Sequence, residues 1–276
     1  MKTLFCRRNA AGMALLAGLL ALALWFGYGA LVWPCPADAP SGASLEAPGP
    51  AHWLGTDNLG IDVYAQLSRG FFESMALGLG CAALAFVLGG ALGLAAGYLG
   101  GGADAAVGFA INVFLSVPQL PILVVLGAFW GQSRLTVLLI IALFSWAPIA
   151  KQVRAKARSV RGRQYVRMAQ SYGGGPLYVV RAHLWPEVWP LLSVNALAVV
   201  GKAILQESAL AYLGLSDPLA KSWGLMINRA SRFAGIYFTD YWKWWLLAPV
   251  LALMATILFT RLLARWLEQR CGEAKR

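Results

Sequence analysis

Long uncharged stretches of apolar residues recur along this chain of 276 residues. A helix needs about 20 apolar residues to cross a hydrocarbon core of about 30 Å. Stretches that approach this length are predicted to span a membrane at 12–33, 76–99, 105–130, 135–150, 188–213 and 242–259. The pattern therefore predicts an all-α, polytopic membrane protein with about six transmembrane helices.

Two of these stretches need a closer look. The fourth has only 16 residues, but Arg134 and Lys151 flank it, and their long side chains can reach the membrane interfaces. The first stretch follows a basic start, as the apolar core of a cleavable signal peptide would. Its 22 residues exceed the usual length of such a core, about 7–15 residues, so a retained anchor is predicted.

The composition supports a membrane environment. Hydrophobic residues make up 59% of the chain and charged residues 13%, which argues against a soluble enzyme, a secreted disulfide scaffold and a disordered chain. With the N-terminus inside, 16 of the 23 Lys and Arg residues are cytoplasmic, so the positive-inside rule predicts that both termini are cytoplasmic. Nucleic-acid binding is not expected, because no stacking aromatics accompany the basic residues.

Two prolines interrupt the third stretch. Pro118 and Pro121 each remove a backbone donor and disfavour helix in the preceding residue, so a kink or an unwound segment is predicted. Broken helices inside a membrane are tolerated where protein or a water-filled cavity lines them. We interpret this segment, with the polar side chain of Gln119, as a candidate wall of a translocation path.

The fifth stretch carries two ionisable residues, Lys202 and Glu207, which usually face a cavity or a partner when they lie in a membrane. Glu207 is predicted either to line or gate a translocation path or to form a structural hydrogen bond to loop backbone. Lys202 is predicted to reach toward the interface or to form an ion pair with another helix or subunit.

Small residues also mark the second stretch, where Gly89, Gly93 and Gly97 recur at four-residue spacing. A face without side chains lets two helix backbones approach closely in lipid. Static helix packing is favoured here over a moving or pore-facing contact.

The segment 151–187 is predicted to be a long cytoplasmic loop, and loops of this length usually carry a function. Residues 164–172 predict a short amphipathic helix that ends at the glycines 173–175 and Pro176. A second helix is predicted at 177–184, ending where the chain turns at Trp185 and Pro186. This helical hairpin is interpreted as a docking element.

The hairpin resembles the cytoplasmic motif of the permease subunits of ATP-binding cassette importers, in particular the dipeptide, oligopeptide and nickel branch. That motif is approximately Glu-Ala-Ala, three residues, Gly, nine residues, then Ile-x-Leu-Pro. The matching positions here are Arg167, Met168, Ala169, Gly173, His183, Leu184, Trp185 and Pro186. The spacing is kept, whereas Arg167 stands where the family has an acidic residue that could form a salt bridge.

Two further segments strengthen this resemblance, which covers roughly residues 52–260. Residues 52–63 resemble the family pattern His-x-Leu-Gly-Thr-Asp-x-x-Gly-Arg-Asp-Val, with Ile61 in place of the arginine. Residues 207–215 and 222–224 resemble its Glu-x-x-Leu-Ser-Phe-Leu-Gly-Leu and Ser-Trp-Gly patterns.

We expect the first of these segments to be a structural turn rather than a substrate contact. Gly55 and Gly60 permit unusual backbone angles, while Asp57 and Asp62 can cap local structure. The Trp223 segment and the aromatic residues after it are predicted to anchor the outer membrane interface, with docking of a binding protein as a secondary role.

The resemblance implies a transport subunit of the bacterial inner membrane rather than an enzyme. Its implied partners are a homologous permease subunit, two cytoplasmic ATPase subunits or domains, an extracytoplasmic substrate-binding protein and membrane lipid. ATP and Mg²⁺ would be bound by the ATPases, and no cofactor is expected in this chain, because no Gly-x-x-x-x-Gly-Lys-[Ser/Thr] phosphate loop occurs in it. Peptides, nickel or another metal chelate would be the cargo.

The domain division that follows has four parts: residues 1–33 form the cytoplasmic start and first span, 34–75 an extracytoplasmic segment, 76–267 the permease domain with the coupling loop, and 268–276 a cytoplasmic tail. The competing hypothesis is an autonomous secondary transporter in which Glu207 or Lys202 titrates with a coupled proton.

No metal site is expected from the sequence. The two histidines, His52 and His183, are predicted to lie on opposite sides of the membrane, and no cluster of His, Cys, Asp and Glu has metal-ligand spacing. All four cysteines are expected to be free thiols, with only Cys35 on the oxidising side.

Overall fold

The computed structural model describes residues 2–130 and 133–273, with side chains over 12–130 and 133–270. Helices account for the regular structure of these ranges, apart from one isolated antiparallel bridge between Thr56 and Asp62. The helices are, in chain order, α1 Lys2–Leu31, α2 Val63–Leu99, α3 Gly101–Ser116, α4 Gln119–Trp130, α5 Arg134–Arg161, α6 Gln164–Ser171, α7 Pro176–Val179, α8 Trp185–Tyr212, α9 Trp223–Arg232, α10 Trp242–Trp245 and α11 Leu247–Glu273.

In the described ranges, five helical segments are long and apolar enough to cross a membrane. They are Gly12–Leu31, Val63–Leu99, Arg134–Arg161, Pro176–Tyr212 and Trp242–Arg270. The helices α3 and α4 together make a sixth, which is bent by 86° at Val117 and Pro118. The all-α polytopic fold is confirmed, and so is the break at the prolines, although its angle is much larger than that of a simple kink.

Two helix boundaries differ from the sequence prediction. The helix α2 begins at Val63, inside the predicted segment 34–75, because the Asp62 carboxylate accepts a hydrogen bond from Ala65 N and caps the first turn. The helix α5 continues to Arg161, well past residue 150, so the first third of the predicted loop 151–187 is helical. Its apolar residues Val153, Ala157 and Val160 are fully buried, which holds this basic stretch in helical form.

Two clusters of buried residues define the two ends of the bundle. The first surrounds Phe26, Leu67 and Trp223, and it joins α1, α2 and α9 beneath the segment 32–62. We call this the cap end. The larger cluster runs through α2, α5 and α8. Its far end contains Val166 of α6, Val179 of α7 and Leu184. We call this the hairpin end.

The glycine face of α2 packs directly against α5. A Cβ atom added at Gly93 would lie 2.8 Å from both Ala150 O and Val153 Cβ, and one added at Gly97 would lie 2.6 Å from Ala157 Cβ. Gly89 meets Ile149 in the same way. The expected close packing of this glycine face is therefore observed, and it brings α2 and α5 into backbone contact.

An ion pair fastens α3 to α5 at the hairpin end. The Arg154 guanidinium donates from Nε and an Nη atom to the two Asp104 carboxylate oxygens, at 2.5 and 2.9 Å. Bidentate pairs of this kind are among the stronger charged contacts, and the sequence offers no sign of this pairing across 50 positions.

Candidate coupling segment and translocation path

The turn of the hairpin is a Schellman motif, which strongly favours glycine. Gly174 N donates to Ala169 O at 2.9 Å, Gly173 N donates to Gln170 O at 3.1 Å, and Gly173 has φ +86°. This is the 6→1 and 5→2 pattern that ends a helix with a left-handed residue. The motif fixes the four-residue spacing between Ala169 and Gly173, because Ala169 supplies the carbonyl and Gly173 the left-handed position.

The hairpin has one buried face and one exposed face. Val166, Val179 and Leu184 are fully buried and fix it to the bundle. Tyr172 is 85% exposed and Leu177 is 80% exposed. Exposed apolar and aromatic side chains cluster on this outer face: Tyr165, Met168, Tyr172, Leu177 and Tyr178. A face of this composition is suited to contact with another protein.

The eight predicted coupling residues divide between these two roles. Arg167 and Met168 are exposed on α6, and Gly173 is exposed at the turn. Ala169 and His183 are partly buried, whereas Leu184 is fully buried in the main core. Trp185 and Pro186 are exposed at the start of α8.

His183 joins the two arms of the hairpin. Its ring lies 5.7 Å from that of Tyr165 on α6 and 5.7 Å from that of Tyr178 on α7. The hydrophobic pattern of the sequence does not distinguish these tyrosines from other residues of the hairpin. The signal that could have found them is an aromatic residue in each arm of a predicted hairpin that already contains a histidine.

The second arm does not end in a turn, as the sequence predicts, but continues into the spanning helix. The segment 180–184 is a π-helical turn in which Trp185 N donates to Val180 O. A wider turn accommodates Pro186, whose ring would crowd a carbonyl one turn back and which has no N–H to donate. Residues Pro176–Tyr212 consequently form one helical segment of 37 residues.

Glu187 fastens the base of this helix to α5. Its carboxylate lies 3.1 Å from Lys156 Nζ and 3.6 Å from an Arg163 guanidinium nitrogen. The helix α6 thus contains no acidic residue in place of the one that the family motif has at position 167. The ion pairs described in this region lie at the start of α8 instead.

The broken span and α8 meet at one polar contact. Lys202 Nζ donates to Gln119 Oε1 at 2.7 Å, across 83 positions of sequence. Pro118 and Pro121 flank this contact and are themselves exposed. Lys202 therefore does contact another helix, but through a hydrogen bond to a neutral amide and not through the predicted ion pair.

Glu207 does not join Gln119 but occupies a separate site toward the cap end. It is 3% exposed, and its Oε2 has no hydrogen-bond partner among the described residues. A small cavity of ≈ 20 Å³ adjoins it and is also lined by Glu73, Arg134 and Ser222. A volume of about 15 Å³ or more admits one water molecule, so the carboxyl group faces a cavity large enough for one water molecule.

The segment 52–63 forms the structural turn that the sequence predicts. Asp57 Oδ1 accepts from Leu59 N at 2.8 Å and from Ile61 N at 2.9 Å. Its other oxygen accepts from Gln66 Nε2 at 2.8 Å. Gly55 and Gly60 have φ +66° and +76°, so the glycines and aspartates have the conformational and capping roles expected of them.

One prediction for the cap end is wrong. The expected absence of a metal-ligand cluster fails, since the Cys35 thiol, the His52 ring and the Asp62 carboxylate each place a donor atom within 4.8 Å of the others. Burial raises the pKa of the Cys35 thiol above its ordinary value, and the Asp62 charge adds to this effect. Cys35 and Cys81 are free thiols, as expected.

Trp223 is likewise not an interfacial anchor. It is fully buried, and its ring nitrogen donates to Leu67 O at 3.0 Å. Gly224 beside it packs on the backbone of Ser208, where a Cβ atom would meet carbonyl oxygen within 2.4 Å. The close approach of α9 to α8 explains why a small residue follows the tryptophan. Of the aromatic residues beyond it, Tyr237 is exposed and Trp245 is buried.

Comparison with known proteins decides between the two transport hypotheses. Residues 89–273 match the family described as "Binding-protein-dependent transport system inner membrane component". The chain belongs to this family. The match begins in the last part of α2 and covers α3 to α11, so it includes the broken span, the hairpin and both ionisable residues of α8.

Two relatives are similar over most of their length. The protein named "Probable D,D-dipeptide transport system permease protein DdpC" from Escherichia coli (strain K12) is 32% identical over 216 residues, which are 78% of this chain and 70% of that protein. The "Oligopeptide transport system permease protein OppC" from Mycobacterium bovis is 31% identical over 233 residues, 82% of this chain and 80% of that protein. The chain is accordingly a multi-pass inner membrane permease of the dipeptide and oligopeptide branch of ATP-binding cassette importers. This membership does not favour an autonomous proton-coupled transporter.

Proposed function

We propose that this permease imports peptides, with the hairpin receiving mechanical work from ATPase subunits in the cytoplasm. The names of its relatives support peptides as cargo; the nickel or metal-chelate cargo of the sequence analysis has no such support here. ATP and Mg²⁺ would be bound and ATP hydrolysed by the partner subunits, so that this chain contributes movement and a path rather than chemistry.

One observation carries the proposal: the exposed hairpin is continuous with a spanning helix. The segment Pro176–Tyr212 runs as one helix from the hairpin, through Lys202, to Glu207 near the cap end. A helix of 37 residues extends about 55 Å at 1.5 Å per residue, enough to carry a displacement across a membrane. A displacement of α7 would therefore be transmitted to both Lys202 and Glu207 on α8.

The buried side of the hairpin supports a rigid coupling. Val166, Val179 and Leu184 belong to the same core as α2, α5 and α8, and packed cores switch between discrete arrangements rather than deform continuously. In this proposal, closure of the ATPases shifts the hairpin with α8. The hydrogen bond between Lys202 and Gln119 then breaks and forms again as the broken span changes its position.

The proposed orientation places the hairpin and both termini in the cytoplasm. It rests on the distribution of Lys and Arg residues, which are concentrated in the segment 151–181 and at the chain ends. The cap end then faces the substrate-binding protein. The assembly would contain a second, homologous permease, two ATPase subunits or domains and that binding protein, with membrane lipid around the helices.

Site-specific photo-cross-linking tests the proposal. A photoreactive amino acid at Tyr172, which is 85% exposed on the hairpin, is expected to capture the ATPase in the assembled complex. The same amino acid at Phe238, 90% exposed at the opposite end, is the matched control and should capture no ATPase. Capture of the ATPase from Phe238 rather than Tyr172 would reverse the orientation and end the coupling role of the hairpin.

A further inference from the structure

We propose that Cys35, His52 and Asp62 form a binding site for one zinc-like divalent cation at the cap end. The three residues lie 17 and 10 positions apart along the chain, and the fold of the segment 32–62 brings them together. The ion would be resident in the protein, and the site does not depend on the transport function proposed above.

The donor atoms converge on one point. Cys35 Sγ lies 3.9 Å from His52 Nδ1, and His52 Nδ1 lies 2.7 Å from Asp62 Oδ2. Donors around a tetrahedral zinc ion, at their usual bond lengths, are about 3.3 to 3.6 Å apart. The distance from Cys35 to His52 is about 0.3 Å above this range and that from His52 to Asp62 about 0.6 Å below it. Binding of an ion would replace the hydrogen bond between His52 and Asp62 and move these two side chains apart by about that amount.

This geometry differs from that of a catalytic relay. In a Cys–His–Asp relay, the carboxylate holds one ring nitrogen and the nucleophile meets the other. Here the thiol and the carboxylate meet the same nitrogen, Nδ1. This arrangement suits one ion bound by all three donor atoms. It does not suit proton transfer through the ring, which uses both ring nitrogens.

Two of the three donors are held in place before any ion binds. Asp62 Oδ1 accepts the capping hydrogen bond from Ala65 N at 2.8 Å, which directs Oδ2 toward His52. The His52 ring is 5% exposed and lies against Gly42, where an added Cβ atom would come within 2.5 Å of Nε2. A hydrogen bond from an outer group to a ligating carboxylate, such as that from Ala65 N to Asp62, is typical of metal sites.

The chemistry of the donors selects the ion. Thiolate and imidazole prefer zinc and similar borderline metals, whereas magnesium and calcium prefer oxygen donors. A divalent cation would balance the charges of the thiolate and the carboxylate in this largely buried place, and a water molecule would complete four-coordination. A cleft of ≈ 290 Å³ opens beside Cys35 and provides the entry path.

Zinc binding by the purified full-length protein tests the proposal. Apo protein in detergent is titrated with Zn²⁺ against a chromophoric chelator, and one equivalent is expected to bind. Cys35→Ser should weaken binding by more than about 100-fold, since even changes around metal ligands cost 10–100-fold. Cys81→Ser and His183→Gln are matched controls, because they remove the same residue types elsewhere, and both should bind normally.

A second readout uses the unaltered chain. Zn²⁺ is expected to protect Cys35 from alkylation, with reactivity restored by a chelator, and Co²⁺ should give a thiolate charge-transfer band. Binding far below one equivalent, unchanged affinity in Cys35→Ser, or absence of both protection and the cobalt band would overturn the site.

Discussion

Lys202 Nζ donates a hydrogen bond to Gln119 Oε1 at 2.7 Å and thereby joins the long helix α8 to the second half of the broken span. The contact is partly buried, and Gln119 Nε2 has no partner among the described residues. An ammonium group in this position depends on its one described acceptor. The two residues should therefore respond very differently to substitution.

We expect Gln119→Leu to destabilise the protein more than Lys202→Met. The first change leaves a charged donor unpaired, which costs about 1–3 kcal/mol or more, whereas the second removes the charge together with its need for a partner. The double variant should be no less stable than Gln119→Leu alone. Thermal unfolding of the purified variants in detergent gives this comparison. Losses that simply add would mean that the two side chains are not coupled.

The hairpin turn gives a prediction that concerns coupling. Gly173 has φ +86°, a conformation that costs other residues about 1–2 kcal/mol. Gly173→Ala is expected to reduce substrate-stimulated ATP hydrolysis by the assembled complex, because the Schellman turn can no longer hold the two arms at their present angle. Gly173→Asn should be milder, since asparagine tolerates this conformation better.

Gly175→Ala is the matched control for the turn. Gly175 has φ −66°, and an added Cβ atom would meet nothing within 4 Å. Its variant should keep normal ATP hydrolysis and uptake. Equal losses from Gly173→Ala and Gly175→Ala would show that the left-handed turn is not the coupling feature.

The close contact between α2 and α5 gives a prediction about folding. Gly93→Ala places a Cβ atom 2.8 Å from Ala150 O, and the backbone cannot move away as a flexible side chain can. Overpacking of this kind usually costs about 1–3 kcal/mol. Gly102→Ala, where an added Cβ atom meets nothing within 4 Å, should leave the thermal midpoint unchanged or raise it slightly. A midpoint unaffected by Gly93→Ala would mean that the two helices can separate at no cost.

Much of the fold follows from apolar length and from proline. The stretches of uncharged residues locate the spans, and the hairpin helix predicted at 164–172 is observed at Gln164–Ser171. The boundaries at Val63 and Arg161 are harder to predict, because both helices continue past the uncharged stretches into segments that contain polar residues such as Gln66 and Lys156. The 86° bend depends on how α4 packs on its neighbours, and proline alone does not specify it.

The sites divide in the same way. The left-handed turn at Gly173 is local, so its position and residue type reveal it. The pairing of Lys202 with Gln119 spans 83 positions, and the group formed by Cys35, His52 and Asp62 depends on the path of an irregular segment. No periodic pattern encodes either arrangement, and spacing along the chain even suggests that the second does not exist.

The last prediction concerns Glu207, which is buried beside a cavity that Glu73 and Arg134 also line. Glu207→Gln keeps the shape of the side chain and removes its charge. If the carboxylate serves gating or the translocation path, the variant should assemble with its partners in normal yield but import peptide at least about 10-fold more slowly, the change expected for about 1.4 kcal/mol at a transition state. Complex yield after purification and uptake into proteoliposomes separate the two effects.

Glu207→Ala serves for comparison, because it also removes packing volume and is expected to lower the yield as well. A Glu207→Gln variant that loses yield and uptake in equal proportion would assign the residue to the structure of the bundle, while one that imports normally would show that the charge has no part in transport.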